Sequence, residues 1–171
     1  MTGRHFVRIK IFLCALAALS LVFCGPAQAQ DKHIDVSIVN GKLVFLNSEC
    51  PGNPTNGCVL AERGTAPVIS WELKGDGDAG WTFAGLQFSS DGVNWGSDPL
   101  QDCTMEDFGL SEADRQSGNA STAQVVANGK RLQIKDLNRN ECITHYKLSA
   151  RSANGDYADS DPVIENRGGN N

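Results

Sequence analysis

Ile34-Asp35-Val36-Ser37-Ile38-Val39-Asn40-Gly41-Lys42-Leu43-Val44-Phe45-Leu46 sets apolar residues at every second position, breaks at Asn-Gly, and resumes an apolar run. Alternation with period two is the mark of a half-buried strand. Asn-Gly between two such runs is the strongest short-range hairpin signal, because a type I′ turn needs positive φ at both central residues. The stretch therefore predicts a β-hairpin. The same device recurs where Asn128-Gly129 separates residues 122–127 from Lys130 to Leu137, with Leu132 and Ile134 inward and Arg131, Gln133 and Lys135 outward.

Further strand candidates lie on either side of the second hairpin. Val68 to Leu73 puts Ile69, Trp71 and Leu73 on one face. Trp81 to Ser89 starts with Trp81 and Phe83 in phase and shifts to Leu86 and Phe88, so a bulge is expected at Gly85. Ser90-Asp91-Gly92 is expected to turn the chain into a further strand through Val93 and Trp95. Ile143 to Ala150 and Tyr157 to Ile164 flank Asn154-Gly155, and Pro162, with no N–H to donate, belongs at an edge or bulge. The one helical stretch expected is a turn or two at Ser111 to Asp114. About eight short strands with turns between them imply an all-β, antiparallel sandwich.

The flanks set the boundaries. Residues 1–29 read as a cleaved signal peptide: Arg4, Arg8 and Lys10, an apolar run from Ile11 to Cys24, then Ala27-Gln28-Ala29. One domain is expected over 30–165, followed by a frayed Gly- and Asn-rich tail over 166–171. Removing the signal leaves 142 residues with twelve basic and twenty acidic side chains, a formal charge of −8. That acidity argues against nucleic acid as a partner, and no later apolar run is long enough to span a membrane. Export to the periplasm or beyond makes disulfides the default for the remaining four Cys. Three pairings are open; the expected one is Cys50–Cys58, around a seven-residue loop containing Pro and Gly, with Cys103–Cys142. Zinc would need closely spaced Cys pairs or nearby His, which are lacking.

The run Leu132-x-Ile134-x-Asp136-Leu137-x-x-x-Glu141-x-x-x-His145-Tyr146-x-Leu148 resembles the E-strand, corner and F-strand of an immunoglobulin-like sandwich. The resemblance implies that fold and a Tyr hydroxyl bonded back to the backbone, although His145 holds the usual Tyr position and Tyr146 follows it. Asp161-Pro162 near the end is similar to the bacterial DP-EP family, whose terminal Glu-Pro has no counterpart here. That likeness implies a small β-rich protein and no particular chemistry.

Four features carry candidate chemistry. Asp76 and Asp78, in Lys74-Gly75-Asp76-Gly77-Asp78-Ala79-Gly80, offer two carboxylates to calcium. The loop lacks the further oxygen ligands of a tight site, so any binding is expected to be weak, and a solvated turn is the plainer reading. Ser89-Ser90-Asp91-Gly92-Val93-Asn94-Trp95 resembles a hairpin tip of carbohydrate-binding modules, and loosely the Asp-box of sialidases. That likeness implies a structural turn with Trp95 packed on its own hairpin. Exposed, Trp95 and Trp81 would instead stack on sugar rings. Residues 98–115 hold six acids, including Glu106 and Asp107, against Arg115 alone, so a glycoside hydrolase is a further alternative. A solvated acidic loop is the favoured reading. Asp156, Asp159, Asp161 and Glu165 place a second acidic group on the last strand. His33 and His145 have no Ser or Cys nucleophile in a recognisable motif. The leading expectation is a non-enzymatic exported protein with no cofactor, binding an unknown protein or a glycan, or serving as a structural accessory.

Overall fold

The protein is described by a computed structural model covering residues 30–52, 54–75, 79–95, 103, 105–109 and 124–168. Its strands are β1 (Lys32–Val39), β2 (Lys42–Phe45), β3 (Val59–Ala61), β4 (Val68–Leu73), β5 (Trp81–Ser89), β6 (Gln124–Val126), β7 (Arg131–Lys135), β8 (Glu141–Ser152), β9 (Tyr157–Ser160) and β10 (Val163–Arg167). One sheet, A, runs β2-β1-β4-β7-β6; the other, B, runs β3-β10-β8-β5, with β9 beside the far half of β8.

Local signals produced the expected local structure. Asn40 and Gly41 have φ of 52° and 73°, and Val39 pairs with Lys42 across the tight turn. Along β5 the register against β8 shifts between Phe83 and Gly85, so Phe83 and Leu86 both point inward despite the odd spacing. The interior is filled by Ile34, Val36, Ile69, Trp71, Leu132 and Ile134 from sheet A and by Phe88, Tyr146, Leu148 and Ile164 from sheet B. The two expected disulfides are present, Cys50–Cys58 and Cys103–Cys142, with Cα–Cα separations of 5.5 and 5.6 Å.

Three expectations need correction. The described residues form ten strands rather than eight, and the sheets are mixed: β1 runs parallel to β4 and β3 parallel to β10. Hairpin signals report only strands adjacent in sequence. β1 and β4 are separated by a crossing to sheet B through β3, which brings the chain back in its original direction. The Asn128-Gly129 turn spans four residues, with Ala127, Asn128 and Gly129 all at positive φ. Its width follows from a contact with the other sheet: the Gly129 carbonyl accepts the Phe83 N–H at 2.8 Å, and a Cβ on Gly129 would lie 2.6 Å from Thr82. At the other end, β10 runs two residues beyond 165, Asn166 is buried, and the Gly168 N–H donates to Asn138 Oδ1 at 2.9 Å. The expected signal peptide and the helical turn at Ser111–Asp114 lie outside the described residues.

The sheets are tied at their centre by Trp71 and Tyr146. Trp71 Nε1 donates to Tyr146 Oη at 3.0 Å, and that hydroxyl donates to the Gly57 carbonyl at 2.6 Å. The Tyr hydroxyl thus does bond to backbone, but 89 residues away rather than at a local corner. Gly57 itself has φ of 71°, and a Cβ there would sit 2.5 Å from the Phe45 ring. Gly57→Ala is expected to destabilise by roughly 2–4 kcal/mol, adding a steric clash to the positive-φ penalty. Gly52→Ala, also at positive φ but with nothing within 4 Å, should lose only the first part. Parallel urea titrations of the two variants check this; equal losses would remove the clash from the account.

Candidate functional site

Strand β8 alternates as far as Leu148, with Thr144, Tyr146 and Leu148 inward and Ile143, His145 and Lys147 on the outer face of sheet B. His145 pairs with Ser89 of β5 on one side and Val163 of β10 on the other. Among the described residues that follow Ser89, 90–95 do not form the expected further strand. Asp91 Oδ1 instead accepts the backbone N–H of Val93 (2.8 Å) and Asn94 (2.9 Å) and the Ser89 hydroxyl (2.9 Å). Those bonds, the Asn94 and Val93 N–H foremost, hold the Asp91 carboxyl well below the usual carboxylate range. Captured N–H groups cannot join a ladder, so the tip coils. It lies over β8: a Cβ on Gly92 would be 2.8 Å from His145 Nδ1, and the Lys147 ammonium stands 4.4 Å from the Trp95 ring centroid.

Beside His145 is a groove of about 400 Å³. Leu43 and Phe45 of β2, Pro162 and Val163 give it apolar walls, and His145 and Asp161 give it polar ones. Pro162 helps create it, because β9 and β10 are one strand interrupted at Asp161-Pro162. The Pro162 carbonyl still accepts the Tyr146 N–H, at 2.8 Å.

A second polar cluster covers the outer face of sheet A. His33 and Asp35 share a face of β1, and Asp35 pairs with Glu72 of β4, which pairs with Arg131 of β7. One ligand atom from each of His33, Asp35 and Glu72 lies within 4.8 Å of the others. Glu72 is already matched by Arg131 (3.0 Å) and Lys74 (3.1 Å). Partial burial works to raise the Glu72 carboxyl, but those two partners outweigh it and hold it below its ordinary value. A metal ion here would have to displace a satisfied ion pair.

The third cluster is buried, at the corner between β7 and β8. Asp136 follows Leu132 and Ile134 in the inward phase and has no exposed surface. Burial pushes its carboxyl up to about 7; hydrogen bonds from the Asn138 N–H and the Asn166 amide oppose this, and the Asp107 charge adds to it. Asp107, expected in a solvated acidic loop, is fully buried on a short 3-10 turn, Met105–Phe108. Its oxygens accept from the Arg139 N–H (3.1 Å) and the Asn140 amide (2.8 Å). The reason is the cystine at Cys103, which pins this segment against β8.

Among the described residues, the sequence candidates are not gathered into one site. Trp81 is half-buried against the core at the start of β5, a nine-residue strand away from the loop that carries Trp95. Asp76 and Asp78 lie outside the described residues, as do Asp98, Asp102, Glu112 and Asp114. Asp159 and Asp161 are exposed. Sequence reasoning missed the Asp136 corner, although the period of β7 already pointed Asp136 inward. It also missed the His33–Asp35–Glu72 row, which depends on a parallel pairing no local signal announces. No protein-family model matches the chain, and no curated protein does.

Proposed function

We propose that this chain is an exported, immunoglobulin-like sandwich that binds a protein or peptide ligand in the groove between β2 and the β9–β10 break and performs no catalysis. The observation that carries the reading is the groove beside His145, where apolar walls from Leu43, Phe45 and Val163 meet the polar His145 and Asp161. Apolar walls with a few placed polar groups are the usual make-up of a binding groove. The immunoglobulin-like part is supported by strand order: β4, β7 and β6 lie as B, E and D do, and β5, β8 and β10 as C, F and G. Two cystines fit an oxidising compartment, and among the described residues no helix is long and apolar enough to cross a membrane. A glycan-binding reading through Trp95 and Trp81 comes second, because Lys147 already covers one face of the Trp95 ring and Trp81 lies at the far end of β5. Calcium at Asp76 and Asp78 belongs to that second reading. The acidic-loop hydrolase comes third, since Asp107 has both oxygens engaged in hydrogen bonds within the fold.

Labelled oxidised protein applied to peptide and glycan arrays tests this. Peptide hits that weaken at least tenfold in His145→Ala and Val163→Asp, with Trp95→Ala little changed, are the expected result. Glycan hits lost in Trp95→Ala, or turnover of chromogenic glycosides, would overturn it.

A further inference from the structure

Asp136 and Asn166 face each other inside the sandwich, both essentially without exposed surface. Asn166 Nδ2 donates to Asp136 Oδ1 at 3.2 Å, and the Asn138 N–H donates to the same oxygen at 2.8 Å. The two remaining atoms, Asp136 Oδ2 and Asn166 Oδ1, are buried and have no hydrogen-bond partner. On an ionised Asp136 both are acceptors, so neither can satisfy the other. Leaving a carboxylate oxygen and an amide oxygen dry and unpaired is costly. Among the described residues, no basic side chain makes an ion pair with Asp136. A bound calcium ion would need about six to eight oxygens, and this pair offers two. One proton on Oδ2 resolves both atoms at once: the new O–H donates to Asn166 Oδ1 and closes an acid–amide ring with the existing Nδ2 bond.

We propose that Asp136 is a carboxylic acid in the folded protein, donating Oδ2–H to Asn166 Oδ1, and that this proton is a pH-sensitive latch on the end of β10. The corner is built to hold that end. Asn138, in the left-handed region at φ 47°, donates from Nδ2 to the Glu62 carbonyl after β3 at 2.7 Å. Its Oδ1 accepts the Gly168 N–H after β10 at 2.9 Å. Loss of the proton leaves the Asn166 contact with a buried charge instead of a closed ring. The charged groups around the corner are Lys135 on β7, Arg139 and Glu141 at the start of β8, Glu62 after β3, Glu165 and Arg167 on β10, and Asp107. All but Asp107 and Glu165 are exposed, and the Asp107 charge opposes ionisation of Asp136.

The folded state holds this proton more tightly than the unfolded chain, where an Asp releases it at 3.8. The contribution is therefore complete below about pH 4, declines as pH rises towards 7, and is gone above that. Urea unfolding of the oxidised protein between pH 5 and 8 is the test, read as the difference between wild type and Asp136→Asn so that His33 and His145 cancel. The wild-type unfolding constant is expected to rise roughly a hundredfold more than that of the variant, whose amide replaces the O–H as donor. Carboxyl ¹³C NMR of the wild type supplies an independent reading, with the Asp136 titration midpoint expected near neutrality. Parallel pH curves for the two proteins, or an Asp136 midpoint near 4, would overturn the proposal.

Discussion

Trp71→Ala is expected to cost the fold about 4 kcal/mol, within the range seen when a buried Trp is cut back to Ala. Trp71 sits mid-strand in β4, between Ile34 of β1 and Leu132 of β7, with no exposed surface. Its ring crosses the interior to Tyr146 at a centroid distance of 5.1 Å, and its N–H is the donor that Tyr146 Oη accepts. The substitution leaves a cavity bordered by both sheets, which strand backbones cannot collapse to fill. The Tyr146 hydroxyl keeps its own bond to Gly57, so most of the loss comes from packing rather than from an orphaned polar group. Trp71→Phe should therefore lose under half as much. Guanidinium titrations with both cystines intact measure this; a loss below about 1 kcal/mol for Trp71→Ala would mean that the two sheets are not locked through this pair.

What the sequence made legible was whatever is decided by neighbouring residues. Asn40-Gly41 fixes a turn because those two residues alone tolerate its φ values cheaply, and Gly85 marks a bulge because the apolar phase slips beside it. Cys50 and Cys58 were readable as a pair for the same reason: a short loop that already reverses. What escaped was decided across the sandwich. Gly129 is drawn into a wider turn by Thr82 and Phe83 of the other sheet. Trp95 was assigned to a strand because its alternation is right, yet Asp91 takes the N–H groups that a strand would need. The site followed the same division. Asp136 could be placed inside from the period of β7, but its partner Asn166 lay in a segment expected to fray. The groove beside His145 could not be foreseen, because β2 and the β9–β10 break come together only after both sheets form.

Breaking Cys103–Cys142 by a double Ala substitution is expected to destabilise by roughly 3–4 kcal/mol, against about 2–2.5 kcal/mol for Cys50–Cys58. The difference follows from what each bond denies the unfolded chain. Cys103–Cys142 closes a separation of 39 residues, Cys50–Cys58 one of 8, and closure entropy grows with the logarithm of that length. The longer bridge also anchors the segment that carries Phe108: Cys103 is buried, and a few residues on Phe108 stacks on Phe88 at 4.6 Å. Asp107, between them, holds the Arg139 N–H and the Asn140 amide at the start of β8. Loss of the cystine should therefore loosen the β7–β8 corner as well, seen as faster amide exchange at Arg139, whose N–H Asp107 accepts. Urea titrations of the two double variants, run with the other cystine oxidised, give the ranking. A reversed order would mean that loop length does not set the stabilisation. A loss under about 1 kcal/mol for the longer bridge, with exchange at Arg139 unchanged, would mean that Phe108 and Asp107 hold the segment without it.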